Sequence, residues 1–266
     1  MKAVTSRENA AYKAAAKLVA SAAERRKRGL SVLDGTHLLA ALLDSGRVPE
    51  ELFIDARGAA DGEVRRLVER SSPARVTLLA DALFNAISTV DSPTGVISLV
   101  RTPGPAKAPP DAPLVLLLDG IQDPGNVGTL LRSAAAAGAT HAMLSPACAF
   151  AWSPKVLRAA MGAHFALGIV EGADLAAYVG AYRGTSIALA AHARASLYDV
   201  DLTGPCALIV GSEGAGLTPS LEAAAKVRAG IPMPGRMESL NAATAGSLAL
   251  FECVRQRATR TKGAGR

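Results

Sequence analysis

Three segments in the second half of the chain constrain its fold more than any other feature: LLLDGIQDPGNVGTLLRSAAAAGA at 116–139, ALIVGSEGAGL at 207–217 and IPMPGRMESLNAATAGSLALFE at 231–252. In each, an apolar run ends, a turn-forming loop carries a few polar residues, and a helix-compatible run begins. That is how an open α/β sheet builds a ligand site, at the carboxyl ends of its strands. Strand candidates fall at 114–118, 141–145, 166–170, 186–190, 206–210 and 227–231, with helix candidates between them. These runs are apolar throughout rather than alternating, as suits a mostly parallel sheet with helices on both faces.

The 266 residues suffice for two domains with real cores, and a break is expected near residue 105. The stretch TPGPAKAPPDAP at 102–113 holds five prolines, which continue neither a helix nor a central strand. Residues 105–113 therefore read as a semi-rigid linker between a first domain, 1–104, and a second, 114–266. Upstream lie a basic helix at about 7–28 and LDGTHLLAALLDSG with helical apolar spacing. The short runs LFI, VTLL and GVISLV follow, separated by helix-like EVRRLVERS and ADALFNAIS. The first domain is thus expected to be a smaller α/β unit.

Charge gathers at the two ends. Residues 1–29 carry eight lysines and arginines against Glu8 and Glu24, and 255–266 carry five bases and no acid, while the net charge of the whole chain is +6. Clustered bases on a mildly acidic middle are the footprint of phosphate-backbone binding, or else a solvated helix face and a frayed tail. No apolar run is long enough to cross a bilayer, and the N-terminus lacks the pattern of a secretory signal, so a cytoplasmic protein without a membrane partner is expected. Cys148, Cys206 and Cys253 form no C-x-x-C and read as buried small residues. His37, His141, His164 and His192 have no metal-ligand spacing, so no metal is expected.

Within the first loop, Gly120, Gly125 and Gly128 permit close backbone approach, and amides at the following helix start favour an anion. Neither G-x-G-x-x-G nor a Walker A sequence occurs, which disfavours a dinucleotide-dependent oxidoreductase. Taken singly, such turns are weak signals; their specificity lies in all three occurring in order.

DGIQDPGNVGTLLRSAAAAGA, VGSEGAGL and IPMPGRMESLNAATA resemble motifs one, two and three of the SpoU (TrmH-type) branch of the SPOUT RNA methyltransferases, over about 115–257. SPKVLRAAMGAHFAL at 153–167 is similar to that family's connecting segment. The resemblance implies methyl transfer from S-adenosylmethionine to a ribose 2′-hydroxyl by a homodimer whose sheet domain contains a trefoil knot. VTSRENAAYKAAAKL, LDGTHLLAALLDSG and STVDSPTGVISLV resemble the ribosomal-protein-type RNA-binding domain of many relatives, although Asp34-Gly35 stands where those often have Glu-Gly. By analogy with relatives carrying both domains, ribosomal RNA is favoured over transfer RNA.

The same resemblance implies roles for particular residues. Asn126, Arg132, Glu213, Ser239 and Asn241 match the catalytic positions. Gly211, Glu213, Gly216, Ile231, Met233, Ser239 and Leu240 match positions around the cofactor. An arginine stays charged near neutral pH, so Arg132 suits a phosphate clamp better than a base, and the proton acceptor is left open. Asn126 could orient the ribose or the Arg132 guanidinium, and is also a good helix N-cap; Glu213 could hold Arg132 or a neighbouring amide; Ser239 and Asn241 also read as a turn and cap for a helix from about 240. Arg158 in the connecting segment could meet RNA phosphate, or simply lie on a helix surface. A non-catalytic RNA-binding protein of the same fold is the alternative, disfavoured because all five catalytic matches are present.

Overall fold

The computed structural model describes residues 3–263, which divide into two compact units. Of these, the first comprises 3–104 together with 152–165, and the second 105–151 with 166–263.

In the first unit the order is α1 (Ala10–Ala20), α2 (Ala22–Arg28), β1 (Leu30–Asp34), α3 (Thr36–Asp44), β2 (Glu51–Ile54), α4 (Ala56–Ala60), α5 (Gly62–Arg70), β3 (Arg75–Leu78), α6 (Asp81–Ile87) and β4 (Val96–Arg101). The four strands form one mixed sheet in the order β1-β4-β2-β3. Phe53, Ile97, Phe84, Leu18 and Val32 fill the space between that sheet and α1 and α6. The expected basic helix at 7–28 is two helices. Ser21 ends α1 in extended conformation and its side chain accepts from Glu24 N, starting α2 afresh. The stretch 33–46, read as helical throughout, begins inside β1 and turns at Gly35, whose φ of 109° suits glycine.

The second unit runs β5 (Leu114–Asp119), α7 (Pro124–Ala136), β6 (His141–Leu144), then, beyond the excursion that carries α8 (Pro154–Ala160), β7 (Gly168–Val170), α9 (Leu175–Ala181), β8 (Thr185–Leu189), β9 (Ala195–Ser196), β10 (Cys206–Gly211), α10 (Pro219–Ala224), β11 (Val227–Gly230) and α11 (Ala242–Gly263). Its seven strands are all parallel, in the order β7-β6-β5-β10-β8-β11-β9. All six strand candidates from the sequence are present, and β9, two residues at one edge, is the addition. From β5 the chain winds one way through β6 and β7, then returns to build outward on the other side of β10. The order therefore reverses at the β5–β10 junction, where open α/β sheets bind ligands.

Helix α7 begins with the Asp123 side chain accepting from Asn126 N at 2.8 Å and with Pro124 in its first turn, so the cap of this helix is Asp123 and not Asn126. Helix α11 packs on α7 and β10 at Gly246, where a Cβ would lie 2.4 Å from Leu130 Cδ2 and 3.1 Å from Val210 Cγ2. The proline-rich stretch is strapped onto the second unit. Tyr178 and Tyr182 hydroxyls donate to Pro109 O and Ala112 O, and Arg183 N donates to Pro110 O.

Part of the terminal charge is structural. Arg25 is buried and its guanidinium donates to Leu18 O and Val19 O, closing the C-terminal end of α1. Arg255 pairs with Glu252, and Arg257 donates to the carbonyls of Leu202, Gly204 and Pro113. Lys2 and Arg266, and the side chain of Lys262, lie outside the described residues.

Close backbone contact in the first unit sets a test. A Cβ on Gly95 would sit 2.5 Å from Gly58 N and 2.6 Å from Asp55 Oδ1, and φ there is +85°. Gly95→Ala is expected to lower the thermal midpoint by roughly 2–10 °C, from strain of about 1–3 kcal/mol. Gly180→Ala, a helical position with open space around its Cβ, should leave it unchanged or raise it slightly. Equal midpoints for both variants in thermal denaturation would remove the steric argument.

Candidate active site

The three loops singled out in the sequence follow β5, β10 and β11 and meet at the carboxyl ends of those strands. Parallel pairing of β5 with β10 sets Asp119 beside Gly211. The Asp119 carboxylate, almost fully buried, then accepts from Thr218 N at 2.8 Å, fixing the far end of the second loop to the start of the first. Between them the chain doubles back: Ser212 N donates to Gly216 O and Gly216 N to Ser212 O. Gly216 turns with φ of +68°, and a Cβ on Gly211 would lie 2.4 Å from the Gly216 carbonyl. This reversal aims Glu213 outward from the sheet end.

Glu213 Oε1 is where the three loops join. It accepts from Asn126 Nδ2, from Asn241 Nδ2 at 3.2 Å and from Ala242 N at 3.3 Å, while Asn241 Nδ2 also donates to Asn126 Oδ1 at 3.1 Å. Asn241 Oδ1 accepts from Ala243 N and Thr244 N, so its side chain caps α11 and enters the network at once. Both amides are thereby held in one orientation. Of the alternatives for Glu213, the structure has the carboxylate on neighbouring amides and not on Arg132.

Arg132 stands apart from this cluster. It is exposed on α7, six residues beyond Asn126, which is about 9 Å along the helix and about 120° around it. No hydrogen bond or ion pair to Arg132 occurs among the described residues. Arg158 donates to Thr89 O at 2.7 Å within the first unit, which ties α8 to the loop at 88–90.

Beside the cluster lies a cavity of about 360 Å³. Gly211, Glu213, Gly216, Ile231, Met233, Ser239 and Leu240 all line it, the full set that the sequence resemblance assigns to the cofactor. One wall is formed by Leu189–His192, at the carboxyl end of β8 and just beyond it. Nothing in LAAH at 189–192 marks that wall in the sequence, because it is built mostly of small and apolar residues and backbone. Another part is the Glu222–Arg228 ion pair, which spans α10 and β11.

Residues 113–251 match the model of the SpoU rRNA methylase family, more than half of the chain. The chain belongs to that family. Among SpoU relatives it is 30% identical to the Bacillus subtilis 23S rRNA (guanosine(2553)-2′-O)-methyltransferase RlmP, over 86% of this chain and 90% of that protein. The SpoU methyltransferase AviRb from Streptomyces viridochromogenes, in complex with the cofactor AdoMet, superposes with a TM-score of 0.83 at 27% identity, covering 94% of this chain and all of that one. An AdoMet-bound rRNA methyltransferase from Sinorhizobium meliloti gives the same TM-score at 27% identity, over 96% and 97%. The parallel seven-stranded sheet with its flanking helices is therefore the SpoU fold.

Because the atoms that a Gly211 Cβ would meet are backbone atoms of Gly216 and Leu217, the SpoU loop cannot yield without opening. Gly211→Ala is expected to weaken S-adenosylmethionine binding at least about ten-fold in calorimetry while circular dichroism stays unchanged. Unaltered affinity would show that the reversal at 211–216 does not shape the cavity.

Proposed function

We propose that this protein transfers a methyl group from S-adenosylmethionine to a ribose 2′-hydroxyl of RNA, with ribosomal RNA as the substrate class. The observation that carries the reading is the Asn126–Glu213–Asn241 network, which brings one residue from each family motif together beside a nucleoside-sized cavity. RlmP, which the chain matches over most of both lengths, is named for this reaction on 23S rRNA.

The cavity fits the donor. Its apolar walls at Leu189, Val210, Ile231, Met233 and Leu240 suit an adenine ring, and the missing side chains at Gly211 and Gly216 let a ligand approach the backbone closely. S-adenosylmethionine would supply an electrophilic methyl on a sulfonium, and Glu213 contributes a carboxylate to the cavity lining. Arg228 answers the other carboxylate, Glu222, so the two acids are not equivalent.

A ribose hydroxyl is a weak nucleophile near neutral pH, so the protein must hold it in line with the methyl and take its proton. Glu213 Oε1 is engaged by three N–H donors and serves to fix the two asparagine amides that face the ribose. Ser239 lines the cavity two residues before the cap of α11 and orients the reacting groups from that side. Arg132, exposed and always charged, clamps the phosphate next to the target nucleotide. In the first unit, Lys27 and Arg28 in the last turn of α2 present an exposed basic edge to the RNA backbone. The functional unit is a homodimer: Leu248, Phe251 and Val254 on α11 are 41%, 49% and 36% exposed at spacings of three, an apolar stripe for a second copy.

Two outcomes test these roles. Arg132→Ala should reduce transfer of tritiated methyl to RNA by about 10²-fold or more while S-adenosylmethionine affinity stays within about two-fold. A matching loss of cofactor binding would make Arg132 structural. Replacing Lys27 and Arg28 by alanine should weaken RNA binding and lower the salt dependence of log K by roughly one unit per lost phosphate contact, leaving cofactor affinity unchanged. An unaltered salt slope would take α2 out of the RNA interface. Nuclease digestion of labelled RNA decides the chemistry itself: the label is expected in a 2′-O-methyl nucleoside of the ribosomal fraction, and label in a base would overturn the reading.

A further inference from the structure

At the amino end of the central strand, the end opposite the candidate active site, Cys206 opens β10 and Cys253 lies on α11 with their sulfur atoms 3.6 Å apart. Both are free, and 1% and 0% exposed. Arg257, one turn beyond Cys253, donates from Nη2 to Cys206 Sγ at 3.3 Å. The same nitrogen donates to the carbonyls of Pro113 and Gly204 at the protein surface, so the guanidinium is the cover between Cys206 and solvent.

The two sulfurs differ in character. The hydrogen bond from Cys253, with the adjacent Arg257 charge, holds the Cys206 thiol below its ordinary range against the opposing effect of burial. The hydrogen bond to Cys206, then burial, pushes Cys253 up. A thiol beside an arginine and in contact with a second thiol is the arrangement of an attacking cysteine with its resolving partner. Cys148 offers the contrast: its sulfur donates to Leu118 O, and burial raises its pKa.

We propose that Cys206 and Cys253 form an oxidisable pair that closes to an intramolecular disulfide on reaction with a hydroperoxide, Cys206 attacking and Cys253 resolving. The steps balance. The Cys206 thiolate attacks one peroxide oxygen, the O–O bond breaks, and the other oxygen leaves as water or alcohol after taking a proton. Cys253 sulfur then displaces hydroxide from the sulfenic acid, and that hydroxide leaves as water with the Cys253 proton. Two electrons pass from the two thiols to the peroxide. The sulfurs must approach from 3.6 Å to the bonded distance of about 2.05 Å.

The bond would join the amino end of β10 to α11. Gly211 lies five residues along the strand, about 17 Å away, so the cavity walls are not directly altered. The consequence is a chain locked across the core packing of its central strand and its last helix, which raises stability without using any active-site residue.

The test treats the full-length protein with hydrogen peroxide and maps its peptides without reduction. A peptide linking Cys206 to Cys253 is expected, two hydrogens lighter than the reduced pair, with the thermal midpoint raised by roughly 5–10 °C and reversed by dithiothreitol. In Cys253→Ser, dimedone should label Cys206; in Cys206→Ser, Cys253 should remain unlabelled. Arg257→Met is expected to slow disulfide formation about ten-fold. Oxidation of Cys148 ahead of the pair, dimedone labelling of Cys253 in Cys206→Ser, or thiols that react only in guanidinium would overturn the proposal.

Discussion

The parallel pairing of β5 with β10 is the constraint on which the rest of the second unit depends. It joins strands separated by most of a domain's length of chain, and it sets Asp119 level with Gly211. The loops leaving those two strands are therefore neighbours before any side chain contact is made. The buried Asp119 bond to Thr218 N and the reversal at Gly216 then fix where Glu213 stands. One register shift would move Asp119 away from the amide it holds and Glu213 away from both asparagines. The polar network is thus a consequence of hydrophobic strand pairing, and its modest hydrogen bonds need only refine a geometry that burial has already set.

Much of the second unit was legible because its strands are buried on both faces. Leu114–Leu118 and Cys206–Val210 stand out as unbroken apolar runs, and each ends where a glycine-rich loop begins. Less was legible where structure rests on single residues or on backbone. The break at Ser21 depends on one side-chain cap within an otherwise helical stretch. β1 was hidden because LSVLD runs straight into a helix with the same apolar richness. The cavity wall at Leu189–His192 carries no distinctive side-chain chemistry, since its backbone and small residues do the shaping.

In the site, the sequence could bring the right residue types into view without their partners. It offered Glu213 two companions, and the folded chain gives the carboxylate to amides, leaving Arg132 on another face of α7. It offered Asn126 as a cap, whereas Asp123, three residues earlier, holds that position and leaves the Asn126 side chain available to the network. Charge shows the same limit. Arg25 and Arg257 contribute to a basic composition at the termini, yet both close carbonyl groups within the fold. A count of bases therefore overstates the surface offered to a polyanion, and the orientation of each guanidinium decides its use.

Asn241 carries two obligations in one side chain. Its carbonyl oxygen starts α11 by satisfying Ala243 N and Thr244 N, and its amide nitrogen completes the polar cluster with Asn126 and Glu213. Helix initiation and site organisation are thus read from the same two atoms. Aspartate could keep the cap but would set a second carboxylate against Glu213; serine could keep the cap but would lack the reach. For this position helix initiation and the geometry of the polar cluster cannot be varied separately, and drift in one is immediately drift in the other.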